Sequence, residues 1–161
     1  MILKHLKKAR CMFLVFNIHQ LLLPVIRKVL QLSPADFTEN DLGKMPNNSL
    51  GAGVFNFLRS NNLHLLPCYE AHDIKHVLLG YGATEEGEAC LQYFFLGNGL
   101  RSAPVYLTVL VTWLIMPESW PAFIKAYKRG KQTPNLGNVN WFSLLPQTIE
   151  SIHQNLKIAT S

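Results

Sequence analysis

The chain has 161 residues, 48% of them hydrophobic and only 16% charged. That is one domain's worth of sequence with enough apolar content to bury a core, which excludes a disordered tail, a collagen and a charged coiled coil. The net charge of +5 is uneven: residues 1–35 carry six bases and no acid, and the rest carry nine bases against ten acids. The basic character therefore belongs to an N-terminal arm, and no basic and aromatic face of the kind that binds nucleic acid is visible.

Strand signals are nearly absent, and helical periodicity divided by prolines and glycines predicts an all-α fold of roughly seven to nine helices. The organisation is a basic apolar helical arm over 1–32 and a helical domain over 33–161. In the arm, residues 3–31 read as one or two helices with a kink at Pro24. Ser33-Pro34 predicts a helix start, with an end near Gly43. Asn48 or Ser49 starts the next helix, which runs to about Ser60. Pro67 opens a helix through His72 and His76 to about Leu79, closed by Gly80 and Gly82. Thr84 caps the following one, whose first turn holds Glu85, Glu86 and Glu88, where the helix dipole favours acids. That helix ends at Gly97-Asn98-Gly99. Ser102 or Ala103 starts an apolar helix to Met116, and Ser119-Trp120-Pro121 starts another to Gly130. Residues 131–140 read as a loop, and 141–157 as helical with a break at Pro146.

Lys4–Arg10 followed by Cys11–Phe16 imitates a signal peptide, but Asn17, His19 and Gln20 interrupt it and no clean cleavage site follows. The arm, with Phe13, Leu14 and Phe16, is a candidate contact with an anionic membrane, a solvated tail being the alternative. Val105–Met116 is too short to span a bilayer, which needs ~20 apolar residues, and reads as a buried core helix. Cys11, Cys68 and Cys90 are odd in number with no C-x-x-C pair, and read as buried thiols in a reducing compartment.

The chemistry concentrates in HDIKHVLLGYGATEEGE, residues 72–88. His72 and His76 stand one helical turn apart on one face. Asp73 lies about 100° round the helix from His72, near enough to edge into the same space. Glu88 follows twelve residues after His76, beyond two glycines that let the chain reverse and bring the next helix alongside. Two imidazoles and two carboxylates there suit a divalent metal. The same residues also fit ordinary histidines and dipole-serving acids. The Glu of H-E-x-x-H is absent, so a zincin protease is excluded. Gly51-Ala52-Gly53 lacks the strand of a dinucleotide loop and reads as close helix packing. No P-loop, no G-x-S-x-G and no paired E-x-x-H motif is present.

As a whole, residues 72–89 resemble the signature of the coenzyme Q (ubiquinone) biosynthesis protein 4 family, H-D-x-x-H followed after eleven residues by Glu. Residues 122–145 are similar to that family's Ala-x-x-Arg-Gly…Trp region, and the likeness spans about 34–157. The resemblance implies an all-helical fold and a divalent metal, usually zinc, on His72, Asp73, His76 and Glu88. It implies a place in ubiquinone assembly, with removal of the ring carboxyl at C1 and hydroxylation there. It also implies a groove for the prenyl tail and a peripheral position on the cytoplasmic face of a bacterial inner membrane or the matrix face of the mitochondrial one. Trp141 is followed by Phe142 and Ser143, where the family more often has an acid.

The leading reading is thus a metal-dependent oxidative decarboxylase of a prenylated aromatic acid, with His72, Asp73, His76 and Glu88 as ligands and one carboxylate available as proton shuttle. Its alternative is a non-catalytic prenyl-lipid-binding scaffold that organises quinone biosynthesis enzymes. A phosphohydrolase of the His-Asp type is weaker, because further His and Asp ligands are missing. The expected partners are a prenylated quinone precursor, the membrane surface and other quinone biosynthesis proteins, with a homodimer left open and nucleic acid excluded.

Overall fold

The structure is a computed structural model and describes residues 35–159. The expected arm over 1–32, its membrane contact, Cys11 and the Ser33-Pro34 helix start lie outside the described residues. Seven α-helices and no strands occur among the described residues, as the periodicity predicts. They are α1 (Glu39–Gly43), α2 (Leu50–Ser60), α3 (Glu70–Leu79), α4 (Glu85–Gly97), α5 (Ala103–Ile115), α6 (Trp120–Gln132) and α7 (Ile149–Asn155), with 3-10 turns at Pro117–Ser119 and Phe142–Leu144.

Polar caps set most of the starts. Ser49, Thr84 and Thr148 each accept a backbone N–H from the first turn of α2, α4 and α7. The first described helix begins later than the sequence suggests, because Thr38 and Asp41 cap it reciprocally. Likewise α3 begins at Glu70 and not at Pro67, since Cys68 takes a left-handed φ of 75° that breaks any helix there.

Helix α4 is central. It packs closely on α6, more lightly on α5, and meets α3 at few points. The α4–α6 approach is backbone on backbone: a Cβ on Gly97 would lie 2.1 Å from the Tyr127 carbonyl oxygen, and one on Gly130 2.0 Å from that of Phe94. Asn98 locks the end of this pair. Its amide donates to the carbonyls of Gly130, Thr133 and Pro134, and its oxygen accepts from Leu136 N–H. One apolar cluster gathers Leu50, Leu58, Ile74, Leu91, Phe94 and Ile152; a second gathers Ala89, Tyr93 and Phe123, and Tyr81 touches both. Gly51 packs tightly, as its sequence suggests: a Cβ there would collide with Met45 and crowd the Leu145 carbonyl.

The apolar helix α5 corrects the sequence reading. Val105 and Thr112 are buried, but Leu110 and Leu114 are 59% and 69% exposed, so it covers the core with one edge only. Among the described residues no single helix is long and apolar enough to cross a membrane. Cys90 is buried as expected, whereas Cys68 is only half-buried.

Candidate metal centre

Helix α3 carries the two histidines, and its C-terminal end is held from three sides. Gly80 closes it with a left-handed φ of 72°. The N–H of Tyr81 then turns back to the His76 carbonyl at 3.0 Å. The next carbonyls of the helix take side-chain donors: His153 Nε2 donates to Leu78 O at 2.6 Å and Arg129 to Leu79 O at 2.6 Å. A cation at a helix C-terminus is favourable there.

The same turn fixes the His76 ring. Its Nδ1 lies 3.0 Å from the carbonyl oxygen of Tyr81. A carbonyl only accepts, so Nδ1 carries the proton and donates, and Nε2 faces away with its lone pair. Phe57 stacks on the ring at 5.7 Å, and His76 is 1% exposed. The chain then reaches α4 through Gly82 and Gly87. A Cβ on Gly87 would fall 2.0 Å from Gly82 O, so glycine is what lets the first turn of α4 lie against this turn. Glu88 is the next residue.

Three donors therefore converge. His72 Nε2 is 3.0 Å from Glu88 Oε2, His76 Nε2 is 3.1 Å from Glu88 Oε1, and the two Nε2 atoms are 3.0 Å apart. These ligand atoms all lie within 4.8 Å of one another. Asp73 stands beside this group without joining it. Burial pushes its carboxyl up to about 6, against the pull of His72 and His76. Burial also opposes ionisation of Glu88, yet the two imidazoles hold its carboxyl far below the ordinary range. For His76 burial disfavours the charge, but Glu88 outweighs it and the imidazole is raised.

With Glu88 ionised, as its lowered carboxyl requires, no arrangement of protons satisfies all three contacts. With His76 neutral, its Nε2 lone pair faces a carboxylate oxygen, acceptor against acceptor. With His76 doubly protonated, its Nε2–H faces the Nε2–H that His72 needs for Glu88, donor against donor. A cation at the centre takes every lone pair at once. The donor set fits zinc: two neutral imidazoles, one carboxylate and room for a fourth ligand. A tetrahedral zinc holds its donors about 3.3–3.4 Å apart, so the pairs need open by only a few tenths of an ångström. His76 already has the outer hydrogen bond to a carbonyl that metal-bound imidazoles require.

The sequence pointed to His72, Asp73, His76 and Glu88; the structure brings the two histidines and Glu88 together and leaves Asp73 beside them. It did not point to Tyr81, Phe57, Arg129 or His153 as supports. Only the left-handed Gly80 signalled the turn that makes the Tyr81 carbonyl available.

No family model matches the chain, and no curated protein matches it. Among solved structures it is similar to a protein of Nostoc punctiforme PCC 73102 that carries the provisional name ubiquinone biosynthesis protein. The TM-score is 0.64 at 22% sequence identity, over 98% of this chain and 79% of that one. At that identity the likeness shows a shared helical fold.

Proposed function

We propose that the protein holds a divalent metal, with zinc the best fit, through His72, His76 and Glu88, and acts on the ring of a prenylated ubiquinone precursor at a membrane surface. The reaction is removal of the C1 carboxyl with hydroxylation there. The observation that carries the reading is the convergence of two imidazole nitrogens and one carboxylate that protons alone leave in conflict. The provisional name of the Nostoc protein supports the substrate class.

When bound, the metal supplies a Lewis acid for the ring carboxylate or phenolate. The residues around it have separate tasks. Tyr81 O keeps the His76 ring in one tautomer, and Phe57 shields one face of that ring from water. Asp73, buried beside the donors with its carboxyl raised by that burial, is the carboxylate placed to shuttle a proton. Replacing a ring carboxyl by hydroxyl is a two-electron oxidation that zinc does not supply. The carboxyl carbon would leave as CO2, water would provide the hydroxyl oxygen, and dioxygen from outside the site would take the two electrons and become peroxide. The site would work at the cytoplasmic face of a bacterial inner membrane or its mitochondrial equivalent, among other quinone biosynthesis proteins.

A second reading keeps the metal and drops the chemistry. Glu88 ties α4 to α3 where the two helices otherwise meet at few points, so a metal there would brace a prenyl-lipid-binding scaffold. Elemental analysis of the purified protein after zinc loading tests both, beside His72→Ala and Glu88→Ala. About one metal per chain, lost in both variants, is expected. A well-folded wild type that takes up no metal overturns both readings. Turnover of a prenylated aromatic acid that survives His76→Ala overturns the enzyme alone.

A further inference from the structure

Helix α5 has no charged residue in its 13 positions and is the least covered apolar element of the described chain. Leu107, Leu110 and Leu114 project outward, with Tyr106 and Trp113 beside them. Helix α6 continues this surface past the bend. Trp113 and Trp120 stack at 4.6 Å, and Trp120 Nε1 donates to the Trp113 carbonyl at 2.8 Å. Ile124 and Tyr127 extend it along α6. Single exposed apolar residues are ordinary, but a continuous patch marks a binding surface.

The charges around the patch have one predominant sign. Arg101, which donates to the Tyr106 hydroxyl, stands at the start of α5, and Lys125, Lys128 and Lys131 are exposed along α6. The acids at its edge are Glu118, at the bend, and Glu86 of α4, which accepts from the Ser119 hydroxyl at 2.6 Å. We infer that this α5–α6 surface is the face on which the protein docks to an anionic lipid bilayer. The helix α5 lies in the interfacial plane, Trp113, Trp120, Tyr106 and Tyr127 sit at headgroup level, and the lysines meet lipid phosphates.

Other occupants fit less well. A second copy related by a two-fold axis would set lysine against lysine. Residues 1–34 of this chain bring six more bases and no acid to the same sign of charge. Insertion across the bilayer fails on length and packing. Thirteen residues reach about 20 Å, short of a core of about 30 Å. The chain bends by 104° before α6, which is pinned to α4 through Phe123, Ala126 and Gly130.

The inference rests on the membrane-surface part of the proposed function, and it fails separately from the metal site. The test is co-sedimentation of the full chain with phosphatidylcholine vesicles, with and without phosphatidylglycerol. Wild type is expected to bind the anionic vesicles, and more weakly as salt rises. Leu110→Glu/Leu114→Glu is expected to lower partitioning by at least about tenfold. Both side chains point outward, so retained helicity and an unchanged melting temperature certify the fold. Lys125→Gln/Lys128→Gln is expected to flatten the salt dependence. Three results overturn the inference: no wild-type binding, binding indifferent to phosphatidylglycerol, or unchanged binding by the leucine variant, which would assign the contact to the basic arm. A leucine variant that turns a dimer into a monomer also overturns it, because a second copy would then cover the face. Metal loss in His72→Ala with vesicle binding intact separates the two proposals.

Discussion

Replacing Gly87 by alanine should damage the candidate metal site without touching a ligand. The new Cβ would lie 2.0 Å from Gly82 O, 2.8 Å from Gly82 C and 3.0 Å from Gly82 N, all backbone atoms that no rotamer change can clear. A methyl carbon and a carbonyl oxygen need at least about 3 Å, so the first turn of α4 must retreat by about 1 Å. Glu88 travels with it, and its 3.0 and 3.1 Å contacts to the imidazoles open to about 4 Å, since His76 stays tied to Tyr81 O. Overpacking costs about 1–3 kcal/mol, partly offset by up to about 1 kcal/mol of helix propensity. The stability loss is therefore small, whereas misplacing one of three donors should weaken zinc binding by at least about tenfold. Competition against a fluorescent chelator measures the affinity, and circular dichroism checks the fold. Gly82→Ala is the control, because a Cβ there meets nothing within 4 Å. Wild-type zinc affinity in Gly87→Ala, or equal damage in Gly82→Ala, would refute the reasoning.

Asp73 makes stability depend on pH. Its carboxyl is raised from 3.8 to about 6 by burial, so between about pH 4 and pH 6 the folded chain keeps a proton that the unfolded chain has released. Its contribution therefore falls as pH rises through that window, by up to about 3 kcal/mol, and is flat above it. In chelator-treated protein, Asp73→Asn should be the more stable variant at pH 7.5 and lose that advantage at pH 4; denaturant melts at both pH values decide it. Asn98→Ala leaves the carbonyls of Gly130, Thr133 and Pro134 and the N–H of Leu136 without their partner. It should cost about 2–4 kcal/mol, or roughly 5–15 °C of melting temperature by calorimetry. Burial pushes the Cys90 thiol up to about 11, so iodoacetamide at pH 8 should modify Cys90 in urea and spare it in the native protein. Equal rates by peptide mapping would contradict that burial.

The parts of the fold that a reader of the sequence can find are those set by short-range signals. Ser49, Thr84 and Gly80 mark helix ends because a cap or a left-handed residue acts over three or four positions. His72 and His76 meet because one helical turn brings them together, and Glu88 follows because Thr84 fixes where α4 starts. Asp73 shows the limit of this reasoning. A residue adjacent to His72 points about 100° away on a helix, so its place in or beside the group is settled by where the neighbouring helix lies. The misread element, α5, fails for a related reason. A helix apolar all round is usually buried, and nothing in its own sequence tells whether a neighbour or another phase covers it.

The long-range supports have a local cause that only the fold reveals. Arg129 and Gly130 sit side by side in α6 and perform two tasks at one place. Gly130 lets α6 approach the Phe94 carbonyl of α4, and that approach brings the Arg129 guanidinium to 2.6 Å from the last carbonyl of α3, between the rings of Tyr81 and Phe94 at 5.5 Å each. The end of α3 so held is the turn that offers Tyr81 O to His76. The stretches 72–88 and 126–130, far apart in sequence, are one structural unit. A side chain larger than hydrogen at 130 would push Arg129 off Leu79 and loosen the His76 ring, so the close α4–α6 packing is itself a condition for the donor geometry.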